Sequence, residues 1–144
     1  MKENNKAIGI FDSGLGGLNV LKALKHNMPQ EKFIYFGDTA HLPYGNKSKK
    51  AIINYSTRIC KFLISQNTKA IIVACNTASS IAIDEIQNNN KNIPILNVID
   101  PCVEEAIKLT KTCNIAIIGT ENTIQSRAYP KKIKMLNENI KIIS

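Results

Sequence analysis

Hydrophobic residues along this chain fall into short continuous runs, and longer amphipathic stretches separate the runs. Continuous apolar runs of this kind are typical of strands that are buried on both faces. Strands are predicted at residues 7–11, 33–37, 70–74, 95–99, 115–119 and 140–143. Between them, helices are predicted near residues 16–28, 48–66, 77–89, 101–111 and 121–137.

The alternation of strands and helices predicts an α/β fold, in which helices cover both faces of a parallel sheet. We expect a first α/β domain at residues 1–97 and the start of a second α/β domain at residues 98–144. The second domain is expected to be incomplete, because residue 144 falls on a predicted strand with no closing helix after it.

Polar residues follow most of the predicted strands. Ligands of such sheets bind beyond the carboxyl ends of the strands, so these residues form a candidate site. They are Asp12, Ser13, Gly14, Asp38, Thr39, Cys75, Asn76, Thr77, Asp100, Pro101 and Thr120. Acids, hydroxyls, an amide and a thiol at one edge of the sheet predict a polar pocket.

The segment GIFDSGLGGLNVL (residues 9–21) is predicted to be a strand, a glycine-rich turn and a helix. Its glycines allow a tight turn and the close approach of a ligand, and the amides at the start of the helix attract an anion. Neither a dinucleotide fingerprint nor a P-loop is complete, so a phosphate- or nucleotide-binding domain is a weaker alternative. Asp12 is expected to accept a proton or bind a ligand's ammonium group, unless it only shapes the turn.

The segment YFGDTAHLPYG (residues 35–45) is predicted to end a strand and enter a rigid turn at Pro43, Tyr44 and Gly45. Such a turn displays backbone donors and one amphipathic ring. A segment of this kind by itself is more often just an ordinary turn.

Cys75 lies in AIIVACNTAS (residues 70–79), between a buried strand and a helix. Asn76 and Thr77 are favourable N-cap residues, so the helix is expected to begin there. A helix N-terminus lowers the pKa of a cysteine and favours the reactive thiolate. A free cysteine is more often a small buried hydrophobic residue, and the position alone leaves both interpretations open.

The other cysteines (Cys60, Cys102 and Cys113) are expected to pack against apolar neighbours. Without a CxxC pair, neither a disulfide framework nor a zinc site is expected. A thiolate at residue 75 could serve a Cys–His hydrolase only if His41 approached from its loop. It could also act as a general base that takes a proton from carbon. The acids, amides and hydroxyls around it suit an amino-acid substrate.

The composition of the chain further limits the classes of protein to which it can belong. Apolar residues make up 44% of the chain and charged residues 21%, as in ordinary globular proteins. No apolar run approaches the ~20 residues of a membrane helix, and the start MKENNK does not resemble a signal peptide, so a cytoplasmic location is expected. The net charge of +8 comes from scattered residues, nearly all lysines. Nucleic-acid binding is therefore not expected, whereas an anionic small substrate fits the charge equally well.

Four segments, in this order and spacing, closely resemble the glutamate racemases of the cofactor-independent aspartate/glutamate racemase family. They are IFDSGLGGL, YFGDTAHLPYG, VACNTAS and IGTENTIQSRAY, and the similarity covers nearly the whole chain. The resemblance implies an isomerase that interconverts L- and D-glutamate without a cofactor and supplies D-glutamate for peptidoglycan. One thiolate removes the α-proton, and a second thiol returns a proton on the opposite face.

The resemblance also implies roles for individual residues. Cys75 matches the first catalytic cysteine, which serves the D-enantiomer, and Asp12 is expected to assist it. The implied substrate-binding residues are Asp12, Ser13, Tyr44, Gly45, Asn76, Thr77, Thr120 and Thr123. The family's second cysteine lies in a CTHYP-like motif, which these 144 residues do not contain. The segment that returns to the first domain has no counterpart either.

The sequence therefore predicts the N-terminal part of a glutamate racemase, with no metal, that associates as a homodimer. Its alternative is a non-catalytic half-protein or remnant that binds an acidic amino acid. The residues themselves do not distinguish glutamate from aspartate, and only the resemblance favours glutamate.

Overall fold

A computed structural model describes residues 6–143. The strands are β1 (Ala7–Asp12), β2 (Phe33–Gly37), β3 (Thr68–Val73), β4 (Ile95–Asn97), β5 (Asn114–Ala116) and β6 (Lys141–Ile143). The helices are α1 (Leu18–Asn27), α2 (Lys49–Ser65), α3 (Asn76–Ile81), α4 (Ile83–Asn89), α5 (Ile99–Leu109), α6 (Glu121–Ser126) and α7 (Ala128–Leu136), and a 3₁₀ helix spans Tyr44–Asn46. Within residues 6–143, no helix is long and apolar enough to cross a membrane.

The main sheet has four parallel strands in the order β2-β1-β3-β4. Phe11, Ile71 and Val73 are fully buried on one face, where they pack with apolar residues of α2, α3 and α4. Ile8 and Ile10 point to the other face and pack against α1. Both faces are therefore covered by helices, which confirms the predicted α/β fold and explains the continuous apolar strands.

A second, two-stranded parallel sheet is formed by β5 and β6. Its core joins Ile99 and Val103 of α5 to Ile133 of α7 and to Ile140. β4, the last strand of the main sheet, ends at Asn97. The predicted division into domains at residues 97 and 98 therefore falls between the two sheets, and it stays a prediction.

Two predicted helices are each divided in the structure. The stretch predicted as one helix at 77–89 consists of α3 and α4, which meet at Ala82. The hydroxyl groups of Ser79 and Ser80 donate to the carbonyls of Val73 and Thr77, and such side-chain bonds compete with regular helix geometry. The stretch predicted at 121–137 is divided by Arg127, whose φ of 55° is left-handed and interrupts a right-handed helix.

Asp100 was expected at a strand end, and this expectation is wrong. β4 stops at Asn97, whose side-chain oxygen accepts hydrogen bonds from the amides of Ile99 and Asp100 and so starts α5. The Asp100 carboxylate instead pairs with Lys132 at 3.0 Å. Burial raises the pKa of Asp100, but the contacts with Lys132 and Asn97 outweigh it, and the pKa is lowered.

Candidate active site

Cys75 lies directly beyond β3 and is itself the N-cap residue of α3. Cys75 is buried, and its thiol accepts a hydrogen bond from the Ala78 amide at 3.4 Å and donates one to Ser13 Oγ at 3.4 Å. Burial raises the pKa of the thiol, with a smaller contribution from Asp12. The increase is opposed by the hydrogen bonds that Ser13 and the Ala78 amide donate to the sulfur once it is a thiolate. The expected lowering of the Cys75 pKa at a helix N-terminus is therefore wrong.

The glycine-rich turn after β1 closes around the carboxylate of Asp12. Asp12 Oδ2 accepts hydrogen bonds from the amides of Gly14 and Gly17, each at 3.1 Å. A Cβ atom at Gly17 would lie 2.8 Å from Asp12 Cβ and 2.9 Å from Ala74 Cβ, so no larger residue fits there. The turn therefore needs glycine at this position for close packing, and it holds Asp12 beside Cys75.

Tyr35 of β2 supports the same turn, a role that no sequence pattern indicated. Its hydroxyl donates to the Gly14 carbonyl at 2.9 Å. Burial raises the pKa of Tyr35 to about 12, and Asp12 and Cys75 add to the increase. A Cβ atom at Gly37 would lie only 2.5 Å from the Gly14 oxygen, so β2 and the turn are in direct backbone contact.

The ring of Tyr44 was expected to be displayed by its turn, but it is fully buried. Its hydroxyl donates to Asp38 Oδ2 at 2.7 Å, and burial together with this bond raises the pKa of Tyr44 well above its usual range. Asp38 also binds His41 Nδ1 at 2.8 Å, and the His41 ring stacks on Tyr55 with centroids 4.1 Å apart. Tyr44 therefore anchors its turn, and only its backbone is left to face a ligand.

Three threonine hydroxyls converge from separate parts of the chain. Thr77 Oγ1 lies 3.0 Å from Thr120 Oγ1 and 3.5 Å from Thr123 Oγ1, and the last two are 3.0 Å apart. Thr120 is the N-cap of α6 and accepts from the Thr123 amide. Gly45 packs so closely on Thr120 that a Cβ atom there would lie 2.9 Å from the Thr120 side chain.

Asn76 is exposed, and its side-chain oxygen accepts a 2.7 Å hydrogen bond from the Tyr129 hydroxyl of α7. Burial raises the pKa of Tyr129 to about 12, with contributions from Cys102. This link between α3 and α7 was not expected from the sequence, because the two residues are 53 positions apart.

The remaining cysteines differ from one another. Cys60 is fully buried, as predicted, and burial raises its pKa to about 12. The prediction that Cys102 and Cys113 pack in the interior is wrong, because both are exposed. Within residues 6–143, no group of three or more His, Cys, Asp or Glu side chains is placed to hold a metal ion.

The structure links the predicted site residues in two groups. Ser13 touches Cys75, and Thr77 is bonded to Thr120, which contacts Gly45. Together with Asp12 and Asn76, these groups supply one thiol, one carboxylate and several hydroxyl, amide and backbone donors. Such a set can hold the carboxylates and ammonium group of an amino acid while the thiol faces its α-carbon.

Known proteins resemble this chain closely. Residues 19–142 match the family model for Asp/Glu/hydantoin racemases. The chain is 47% identical over 139 residues to the glutamate racemase of Geobacter metallireducens, which covers 96% of this chain and 51% of that protein. It is 43% identical over 137 residues to the glutamate racemase of Chlorobium phaeobacteroides, with 95% and 50% covered.

Solved structures agree in fold. The glutamate racemase of Francisella tularensis in complex with D-glutamate is 44% identical, with a TM-score of 0.90 over 98% of this chain and 52% of that one. A glutamate racemase isoform of Bacillus anthracis is 37% identical, with a TM-score of 0.95 over 99% of this chain and 53% of that one. This chain spans about half the length of the relatives that it matches. Because the family model matches most of the length of this chain, the chain belongs to the Asp/Glu/hydantoin racemase family.

Proposed function

We propose that this chain carries the Cys75 half of a glutamate racemase site. The observation that carries the proposal is the placement of the Cys75 thiol at the carboxyl edge of the central strands. There it touches Ser13 and lies beside the Asp12 carboxylate. A relative with 44% identity was solved in complex with D-glutamate, which supports glutamate as the substrate.

The surrounding donors suit the charges of glutamate. The proposal assigns the carboxylates of glutamate to the hydroxyls of Ser13, Thr77 and Thr120 and to the Asn76 amide. The backbone amides of Tyr44 and Gly45 are proposed to bind them too. Asp12 keeps one carboxylate oxygen in the turn through Oδ2, and its Oδ1 is proposed to accept from the substrate's ammonium group. Thr123 supports the hydroxyl cluster through its contact with Thr120.

Proton transfer begins with the Cys75 thiolate. The sulfur forms a bond to the α-proton of D-glutamate, the Cα–H bond breaks, and the electron pair stays on Cα and its carboxylate. Hydrogen bonds to that carboxylate stabilise the developing charge, which no cofactor shares. A second thiol on the opposite face, which these 144 residues do not supply in the family's motif, returns a proton to give L-glutamate.

Further features belong to the same proposal. They are a cytoplasmic role in supplying D-glutamate for peptidoglycan and cell shape, association as a homodimer, and a division into domains between residues 97 and 98. The family resemblance supports them.

Hydrogen exchange at Cα tests the function directly. The chain is incubated with D- or L-glutamate in deuterated water, and label and configuration are followed by mass spectrometry and chiral chromatography. Cys75 alone is expected to exchange the α-proton of D-glutamate without inversion, because one base serves only one face. If a second thiol is present on the opposite face of the substrate, exchange of the α-proton and inversion at Cα are expected together.

The matched control replaces an exposed cysteine that lies outside the site. Cys75→Ser is expected to lower exchange at least 10³-fold, because a hydroxyl is a far weaker acid than a thiol and does not ionise to the base. Cys113→Ser should retain the wild-type rate. Binding of glutamate without any exchange would favour the non-catalytic binding protein, and equal rates in both variants would contradict the role of Cys75.

A further inference from the structure

The side chain of Asn122 connects α6 to the 3₁₀ helix that carries Tyr44 and Gly45. Its Nδ2 atom lies 2.8 Å from the Lys47 carbonyl, 2.9 Å from the Gly45 carbonyl and 3.3 Å from the Tyr44 carbonyl. These carbonyls are at least 75 positions away in sequence. Neither the sequence motifs nor the roles proposed above give Asn122 a function.

The chemistry of the contact is specific for a primary amide. A carboxamide nitrogen has two hydrogens, and the two shortest distances place them on the carbonyls of Gly45 and Lys47. The third carbonyl, that of Tyr44, already accepts the Lys47 amide at 3.1 Å inside the turn. Asn122 therefore binds the carbonyls of residues 45 and 47, whereas the Tyr44 carbonyl is already bonded inside the turn.

Asn122 lies in α6 beside residues of the hydroxyl cluster. Its neighbours Thr120 and Thr123 belong to the hydroxyl cluster, and Thr120 packs directly on Gly45. Asn122 is half-buried, whereas the other carboxamide of the same helix, Gln125, is exposed and bonds only to Glu121 of its own helix. The start of α6 thus fixes the turn in two ways, by the packing of Thr120 and by the hydrogen bonds of Asn122.

We propose that Asn122 is a positioning residue that fixes the turn of Tyr44 and Gly45, so that their backbone amides face the substrate carboxylate. The proposal rests on the function proposed above, in which these amides bind substrate. Asn122 acts through the turn and touches no substrate itself. Because the turn is already ordered before the substrate binds, the binding free energy is not reduced by the entropic cost of ordering it.

The test measures D-glutamate binding to the wild-type chain and three variants by calorimetry and by amide NMR. Asn122→Ala is expected to weaken binding about tenfold, the effect of losing one well-placed hydrogen-bonding group. Asn122→Asp should weaken it more, because carboxylate oxygens would face carbonyl oxygens. Gln125→Ala, which removes a carboxamide from the same helix, should leave the affinity unchanged.

NMR distinguishes positioning from a purely structural role. In the wild type, D-glutamate is expected to shift the Gly45 amide resonance together with those of Asn76 and Thr77. In Asn122→Ala at saturating ligand, the shift at Gly45 should be lost while the shifts at residues 76 and 77 remain. Equal affinity and an unchanged Gly45 shift in this variant would overturn the proposal alone.

Two further outcomes are decisive. If wild-type chain does not bind D-glutamate, the proposed function fails, and the positioning role fails with it. If the variants do not fold, the wild type still provides a measurement, because the Asn122 side-chain protons should exchange slowly and show contacts to residues 45–47. Fast exchange of these protons, as for a solvent-exposed asparagine, would overturn the proposal.

Discussion

At the scale of single residues, two opposing effects act on the pKa of Cys75. Its position at the N-cap of α3 gives the sulfur a hydrogen bond from the Ala78 amide, which favours the thiolate. Burial and the nearby Asp12 carboxylate favour the neutral thiol, and they prevail. The resting protein therefore holds Cys75 mainly protonated at neutral pH, and the positive ammonium group of a bound amino acid would oppose the effect of Asp12.

The raised pKa gives a prediction about pH. Below its pKa the thiol is neutral, so the thiolate of Cys75 should appear only as the pH rises above the ordinary cysteine value of about 8.5. The ¹³Cβ chemical shift of labelled Cys75, followed against pH, should show its midpoint above that value, and Cα exchange of D-glutamate at low substrate should increase over the same range. A midpoint below pH 8 would contradict the prediction. Ser13→Ala, which removes a bond that favours the thiolate, should raise the midpoint further.

At the scale of elements, the glycine-rich turn depends on its contact with β2. The Gly14 carbonyl accepts from the Tyr35 hydroxyl and lies against Gly37, where a Cβ atom would come within 2.5 Å of it. None of the described glycines has a positive φ. Glycine is therefore needed at residue 37 because a Cβ atom has no room there, and not because the backbone is left-handed.

Gly37→Ala is accordingly expected to lower the free energy of unfolding by about 1–3 kcal/mol, because the backbone must shift to admit the methyl group. Gly14→Ala is the matched control, since the nearest atom to its Cβ position is Leu42 Cδ2 at 3.8 Å. Urea denaturation followed by circular dichroism measures both variants. Equal stabilities of the two variants would contradict the close contact between the turn and β2.

The sequence predicted the elements well where hydrophobic patterning was strong. The four strands of the main sheet and helices α1 and α2 lie where the apolar runs and stripes placed them. The breaks at Ala82 and Arg127 were not predicted. The hydrogen bond from Ser79 to β3 accounts for the break at Ala82, and the left-handed backbone of Arg127 accounts for the other. Neither feature changes the periodicity of the apolar residues. Asp100 was misplaced because the cap formed by Asn97 starts α5 two residues earlier than the pattern indicated.

At the scale of the whole molecule, large apolar side chains are exposed around the second sheet. Ile118 is 96% exposed and Met135 is 81% exposed, and Leu109 and Ile143 are each 68% exposed. Exposed apolar surface of this kind favours association. It is therefore compatible with the proposed homodimer.

Light scattering over a wide range of protein concentration tests this association. The mass is expected to rise from that of a monomer towards that of a dimer or larger species as the concentration increases. Met135→Gln should weaken the association, whereas Lys131→Gln, an exposed replacement one turn earlier in α7, should not. A monomer at every concentration would contradict the prediction.

The sequence by itself determined the fold class and the edge of the sheet at which the candidate site lies. Apolar runs specify buried parallel strands, and the polar residues that follow β1, β2 and β3 must then gather at one edge. Only the tertiary structure decided how these residues meet. It buried the ring of Tyr44 on Asp38, joined Asn76 to Tyr129, and placed Asn122 on the turn at Gly45. These contacts join residues from distant parts of the chain, so no local pattern specifies them, and the pKa of Cys75 depends on burial that arises only when the whole fold closes around it.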